Sequence, residues 1–124
     1  ESGNFKKAWG GIASLQFSLP VFWTKAYEKG FTIEQTVQLM SENVASFLKI
    51  DSKKGKLQKG FDADITIWNP EEEFTILKEN IHFRHKLTPY EGMRCKGVVK
   101  QTYVNGGKVF ENGAFQSLNF GKTI

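Results

Sequence analysis

Apolar residues recur at helical spacing over the first fifty residues, and they alternate with polar residues from about residue 53 onward. The first pattern predicts a helix from about residue 14 to residue 29, with Gly30 as its stop signal. Pro20 lies inside this pattern, so the helix is expected to begin late or to kink there. The chain is therefore predicted to have a helical half followed by a β half.

A capping box marks the start of the second predicted helix. The Thr32 hydroxyl can accept a hydrogen bond from an early helical amide, while the Gln35 side chain returns to the amide of Thr32. Ser41 is a candidate cap of a third, short helix. The apolar stripes of these two helices are Ile33, Val37 and Met40, then Val44, Ala45, Phe47 and Leu48. Packing is their expected role.

The β half is predicted to hold short strands near Leu57 and at residues 64–68, 74–77 and 98–104. Asn69-Pro70 should close the second of these strands, because proline cannot continue a hydrogen-bonded ladder. Asn105-Gly106 predicts a type I′ turn into a further strand at residues 107–110, since both residues tolerate positive φ. The tail after Gly113 is expected to be loosely attached.

Composition narrows the class of protein. Forty per cent hydrophobic residues, with 11 Phe and 3 Trp, suffice for a core in 124 residues. The net charge of +4 comes from scattered lysines without a basic helix face, so nucleic acid is not an expected partner. Apolar runs are too short to span a membrane. The single cysteine excludes an internal disulfide and fits a reducing cytoplasm.

Two histidines are the first candidates for chemistry. His82 and His85 are three residues apart, a spacing that can serve a metal, but Arg84 and Lys86 flank the second histidine and disfavour a cation. A loop or interface role is therefore expected for both. The sequence shows neither a nucleophile elbow nor a phosphate-binding glycine loop.

Two carboxylates and a thiol are the remaining candidates. Asp62 and Asp64 follow Gly60 closely, so turn geometry is their expected role. Cys95 lies between two cations, which could lower its pKa, although a small structural residue is the favoured interpretation. No catalytic residue and no metal ligand is predicted from these patterns.

Four strings resemble the C-terminal part of allantoinases, which are cyclic-amide hydrolases of the amidohydrolase superfamily. They are GNFKKAWGGIASLQ at residues 3–16, LPVFWT at 19–24, KGFDAD at 59–64 and FRHKLTPYEG at 83–92. The third string indicates the superfamily, while residues 8–16 and 84–92 narrow the resemblance to allantoinases. The chain begins without methionine, and we expect it to be cut from a longer protein.

The resemblance implies an α+β chain that holds the last helices of a (β/α)₈ barrel and part of a composite β-sandwich. Residues 1–52 would end the barrel, and residues 53–124 would form the C-terminal part of the sandwich. In this family a pair of divalent metals, expected to be zinc, supplies a hydroxide that opens the ring of allantoin to give allantoate. The family's metal ligands have no counterpart here, so this segment alone is expected to be inactive and to bind no metal.

The resemblance also implies a substrate-binding loop. Trp9, Gly10 and Gly11 match a loop at the mouth of the barrel, where backbone groups can hydrogen-bond the ring amide and glycine permits close approach. A tight turn ahead of the first helix is the equally weighted alternative. The 84–92 loop would lock the sandwich onto the barrel, with Tyr90 as a packing residue and His85 as a hydrogen bonder.

The implied partners are the remainder of the allantoinase chain, the substrate allantoin and further copies in a homo-oligomer, in the cytoplasm. A fragment of a neighbouring cyclic amidase, of the hydantoinase, dihydropyrimidinase or dihydroorotase type, is one alternative. A stand-alone α+β interaction module is another. A fragment should expose Trp9, Phe22 and Trp23 and associate, whereas a module should bury its helical face.

Overall fold

The computed structural model describes residues 10–116 and 121. Its helices are α1 (Ser18–Glu28), α2 (Ile33–Val37) and α3 (Asn43–Phe47), with a π-helical turn (Gln38–Glu42) and two 3₁₀ turns (Leu15–Phe17 and Lys78–Asn80). Its strands are β1 (Ile65–Thr75), β2 (Arg94–Val104), β3 (Gly107–Glu111) and β4 (Ala114–Phe115). The strands form one antiparallel sheet in chain order. The predicted α+β class is confirmed.

Helix α1 begins later than its apolar pattern, as Pro20 predicted. A 3₁₀ turn precedes it, and Pro20 is its third residue, where a missing amide costs no helical hydrogen bond. The helix ends in a Schellman motif: Gly30 has a φ of +79°, its amide bonds to the Tyr27 carbonyl, and the Phe31 amide bonds to the Ala26 carbonyl. Local sequence signals therefore set both ends of α1.

The second helical segment is one continuous run over residues 33–47. The capping box is confirmed: the Gln35 amide donates to Thr32 Oγ1 at 3.2 Å, and Gln35 Oε1 accepts from the Thr32 amide at 2.9 Å. The predicted cap at Ser41 is wrong, because this residue lies inside the π-helical turn that joins α2 to α3. The wider turn takes up an extra residue, so the shift in the apolar stripe needs no break in the helix.

The predicted boundaries in the β half need three corrections. Leu57 lies in an irregular, exposed loop rather than in a strand. Pro70 does not close β1, which continues to Thr75 through an irregularity in its pairing with β2 between Asn69 and Glu73. Because β1 lies at the edge of the described sheet and the pairing is interrupted there, the missing amide is tolerated. The predicted strands at 64–68 and 74–77 are therefore one strand.

The hairpin that joins β2 to β3 follows its sequence signal. Asn105 and Gly106 have φ values of +49° and +80°, as a type I′ turn requires. The tail is not loose at its start, because Ala114 and Phe115 pair with β3. Residues 117–120 and 122–124 of this tail lie outside the described residues.

Two apolar clusters hold α1 and the connection between β1 and β2 on the sheet. The first joins Phe17 to the buried residues Ile76, Ile81 and Cys95. In the second, Trp23 is 2% exposed, packs edge-on against Trp68, and donates from Nε1 to the Pro70 carbonyl at 2.9 Å. The expected exposure of Trp23 is therefore wrong. Phe22 is half-buried, and Trp9 lies outside the described residues.

The second helical segment contacts the loop that follows it. Ala45 is buried, and a side chain at Gly55 would bring its Cβ within 2.7 Å of Ala45 Cβ and 3.1 Å of the Ser41 carbonyl oxygen. Only a residue without Cβ allows the loop backbone to lie this close to the helix. Much of the apolar face of this segment is exposed, notably Ile33, Val37, Leu39, Val44 and Phe47.

Candidate substrate loop

The described part of the expected substrate loop is exposed and sterically open. Gly11 has a φ of +90°, a conformation that favours glycine, and a Cβ added at Gly10 or Gly11 would meet no atom within 4 Å. Both glycines lie at the surface ahead of the 3₁₀ turn that leads into α1. Their backbone is therefore free of steric cover in the described chain, whereas Trp9 lies outside it.

The residues that follow the two glycines are tied to a distant segment. Gln16 Nε2 donates to the Asn80 carbonyl at 2.6 Å, and Gln16 Oε1 accepts from the His82 amide at 2.8 Å. Thr88 Oγ1 donates to the Ala13 carbonyl at 2.7 Å. Hydrogen bonds at Ala13 and Gln16 thus attach the segment that follows the substrate loop to the residues that connect β1 to β2.

This connection, residues 78–93, is termed the connector. It is anchored in the first apolar cluster: Ile81 is fully buried, Phe83 stacks edge-on against Phe17, and Tyr90 packs against the same cluster. The Gly92 amide also bonds to the Ile76 carbonyl at 2.8 Å. The packing role predicted for Tyr90 is confirmed, while the locking of a sandwich onto a barrel stays a prediction. The connector is a fixed support for the substrate loop.

The two histidines lie on the exposed side of the connector. His82 packs edge-on against Phe115 with ring centroids 4.9 Å apart, and His85 is exposed. Over residues 10–116 and 121, no three His, Cys, Asp or Glu side chains are grouped as a metal site would require. The residues described here therefore do not fit the metal pair that the family resemblance implies. No metal-dependent step is assigned to them.

Asp62 and Asp64 stabilise the entry into the sheet. Both carboxylates pair with Lys54 Nζ, Asp62 at 3.1 Å, and Asp64 Oδ1 accepts from the Asn105 amide at 2.8 Å. The Lys54 ammonium, with help from the Asn105 amide, lowers the pKa of Asp64, and Asp64 followed by Asp62 raises the pKa of Lys54. The turn role predicted for this pair is confirmed, because the Asp64 amide bonds to the Asp62 carbonyl.

Cys95 is a structural residue of the core. It is buried in β2 beside Phe17, and burial raises the pKa of its thiol despite an opposing hydrogen bond with Thr24. The alternative of a lowered thiol pKa is therefore wrong.

No helix in the described chain is long and apolar enough to cross a bilayer.

Sequence reasoning did not single out Gln16 or Thr88, although both lie in the strings that indicate the family. Their partners are 64 to 75 residues away in the sequence, so no local pattern could predict the bonds. The two most specific strings, residues 8–16 and 84–92, contain the partners of the Thr88–Ala13 bond, but the partners of Gln16 lie outside both.

Comparison with known proteins gives the same family as the strings. Allantoinase from Arabidopsis thaliana is 41% identical over 117 residues, which cover 93% of this chain and 23% of that protein. Probable allantoinase 2 from Dictyostelium discoideum is 35% identical over 111 residues, covering 90% and 22%. The chain thus spans about a quarter of the length of these relatives. The predicted resemblance to allantoinases is confirmed.

Solved structures and a family model extend this likeness. L-hydantoinase (dihydropyrimidinase) from Arthrobacter aurescens matches with a TM-score of 0.80 and 33% identity, over 90% of this chain and 25% of that one. The model of the amidohydrolase family matches residues 10–109, which include both glycines of the substrate loop, the connector and most of the sheet. This match covers most of the sequence, and we conclude that the chain belongs to the amidohydrolase family.

Proposed function

We propose that this chain is the C-terminal part of an allantoinase, which hydrolyses the cyclic amide of allantoin to allantoate in purine breakdown. The observation that carries the proposal is the match to allantoinases over nine-tenths of the chain, at 41% identity in the Arabidopsis thaliana protein. The strings that resemble allantoinases include both partners of the bond between Thr88 and the Ala13 carbonyl.

The proposal divides the chain as the sequence suggested. Residues 1–52 would complete the barrel, and residues 53–124 would supply strands to a sandwich whose other strands come from elsewhere in the protein. The change from helices to an antiparallel sheet after residue 50 supports this boundary. The proposed enzyme would be a cytoplasmic homo-oligomer.

The metal pair, proposed to be zinc, would be held by other parts of the protein; residues 10–116 and 121 contain no group of three His, Cys, Asp or Glu side chains that could hold a metal ion by themselves. This segment's own part in the reaction would be to bind and orient the substrate. The backbone of Trp9, Gly10 and Gly11 would hydrogen-bond the ring amide, and the open space around both glycines supports access by a small ring. The isolated segment would be inactive.

A full-length protein that contains this segment tests the proposal. Its kcat/KM is measured with allantoin, hydantoin, dihydrouracil and dihydroorotate, together with its metal content. Turnover that favours allantoin would support the proposal. A preference for hydantoin or dihydrouracil would replace it with the alternative that the structural match to L-hydantoinase favours. Absence of all four activities, with a monomeric and cooperatively folding segment, would favour an interaction module.

The loop itself is tested with two alanine variants. Gly11→Ala forces a side chain into a positive φ and should lower kcat/KM for allantoin about ten-fold, the effect of roughly one lost hydrogen bond. Gly30→Ala is the matched control, since Gly30 also has a positive φ and open space but ends α1. Equal kcat/KM values for the two variants would contradict a substrate role for this loop.

A further inference from the structure

Ahead of Phe17, the segment that follows the substrate loop is attached to the connector through polar contacts. Phe17 anchors the end of this segment in the first apolar cluster, but Ile12 is 61% exposed and Leu15 is 84% exposed, so the apolar side chains between the two glycines and Phe17 bury little surface. Apolar burial is what usually fixes such a segment, at about 25 cal/mol per Å² of area removed from water. The hydrogen bonds at Ala13 and Gln16 therefore carry an unusual share of the positioning of this segment.

The geometry of these bonds restricts the loop in direction as well as in distance. The Gln16 carboxamide donates to one connector backbone group and accepts from another, which fixes the orientation of its plane. Thr88 donates to the carbonyl of Ala13, which lies three residues before Gln16. The hydroxyl oxygen of Thr88 also accepts from the Tyr90 amide at 3.5 Å. Gly11 is two residues from the Ala13 attachment, so this hydrogen bond restricts the backbone close to Gly11.

We propose that Thr88 and Gln16 are positioning residues for the proposed reaction. They hold the backbone of Gly10 and Gly11 in the orientation that binds the substrate ring, because their bonds tie residues 13–16 to the connector, and they do not touch the substrate. This inference rests on the proposed function. It assigns the specificity of the loop partly to a segment more than 60 residues further along the chain.

Variants of Thr88 in the full-length protein test the inference. Thr88→Val keeps the shape and removes the hydroxyl, so KM for allantoin should rise about ten-fold with kcat largely retained, as expected when binding geometry is lost. Thr88→Ser restores the hydroxyl and should return KM to within about two-fold of wild type. Gln16→Glu, which replaces the donor to Asn80 by an acceptor, should raise KM in the same direction.

Thr24→Val is the matched control. The Thr24 hydroxyl also donates to a carbonyl, that of Pro20 at 2.6 Å, and accepts from an amide, that of Lys96 at 2.9 Å, but it joins α1 to β2. Its loss should lower the melting temperature and leave KM within about two-fold of wild type. Equal KM changes in Thr24→Val and Thr88→Val, or an unchanged KM in Thr88→Val, would overturn the inference.

Hydrogen exchange separates this inference from the proposed function. Amides at residues 10–13 should exchange faster in Thr88→Val than in wild type. In Thr88→Ser and in Thr24→Val, the exchange rates of these amides should be unchanged. A wild-type protein without turnover of allantoin would refute the proposed function, and exchange would then decide the inference alone. Unchanged exchange at residues 10–13 in Thr88→Val would overturn it.

Discussion

Helix α1 and the second helical segment, residues 33–47, have similar apolar stripes in the sequence but differ in what covers those stripes. α1 buries Pro20, Trp23 and Ala26 against the sheet, and its Trp23 indole also bonds to the backbone of β1. The second segment buries Thr36 and Ala45. Its Phe47 is 85% exposed in the described structure. Amphipathic spacing indicates a helix, but it does not indicate which layer the helix packs against.

The difference indicates how the chain is assembled. α1 forms one unit with the sheet through apolar contact, whereas residues 33–47 contact the loop that follows them through Ala45 beside Gly55 and through the Glu42 pair with Lys56. An apolar face left exposed by the described residues needs another layer to bury it. Under the proposed function, the remainder of the allantoinase would supply that layer.

The largest expected effect comes from removing the joint between α1 and the sheet. Trp23→Ala removes a buried indole, its edge-on packing against Trp68 and its hydrogen bond to Pro70, and should cost about 3–5 kcal/mol of unfolding free energy. Urea denaturation followed by circular dichroism measures the change. Phe47→Ala in the second segment is the matched control and should change the unfolding free energy of this chain by less than about 0.5 kcal/mol. Comparable losses of unfolding free energy in Trp23→Ala and Phe47→Ala would show that α1 and the second helical segment pack equally on the rest of the chain.

A smaller effect is expected where the second segment meets its loop. Gly55→Ala introduces both a strained positive φ and an overlap with Ala45 and the Ser41 carbonyl, so it should destabilise the chain by about 3 kcal/mol. Gly60→Ala imposes nearly the same φ in open space and should cost only about 1 kcal/mol. The difference between the denaturation midpoints of Gly55→Ala and Gly60→Ala measures the cost of the steric overlap with Ala45 and the Ser41 carbonyl. Equal costs would mean that the helix does not rest on this loop.

The smallest effect is electrostatic and depends on pH. Interaction with Lys54 lowers the pKa of Asp64 below its ordinary value of about 3.9, so the ionised pair contributes stability above that pH and loses it as the pH falls through the folded pKa. Asp64→Asn keeps an acceptor for the Asn105 amide and removes the charge. Because the Asp64 side chain is more than one-third exposed, the cost at pH 7 should be about 1 kcal/mol or less.

Denaturation at a series of pH values checks the sign of this effect. The difference between wild type and Asp64→Asn should shrink as the pH falls below about 4. Asp51→Asn, at an exposed position in the preceding turn, is the control and should show no such dependence. A difference that grows on acidification would contradict the assignment of Asp64 as the partner of Lys54.

Features fixed by neighbouring residues could be predicted from the sequence. The capping box needs only Thr32 and Gln35, and the type I′ turn needs only Asn105 and Gly106. Pro70 predicts a strand end by its local rule, but the Trp23 indole, 47 residues away, bonds to its carbonyl where the pairing of β1 is interrupted. The candidate loop followed from the family resemblance, while its attachment through Thr88 depends on tertiary structure.

The interruption in β1 has a consequence for how the chain avoids self-association. An edge strand with regular, unpaired backbone groups is a template for strand addition by another molecule. Near the middle of β1 stand a proline, which has no amide to donate, and three consecutive glutamates at residues 71–73. The same irregularity that allows α1 to bond to the Pro70 carbonyl therefore protects this edge of the sheet against growth into aggregates during folding.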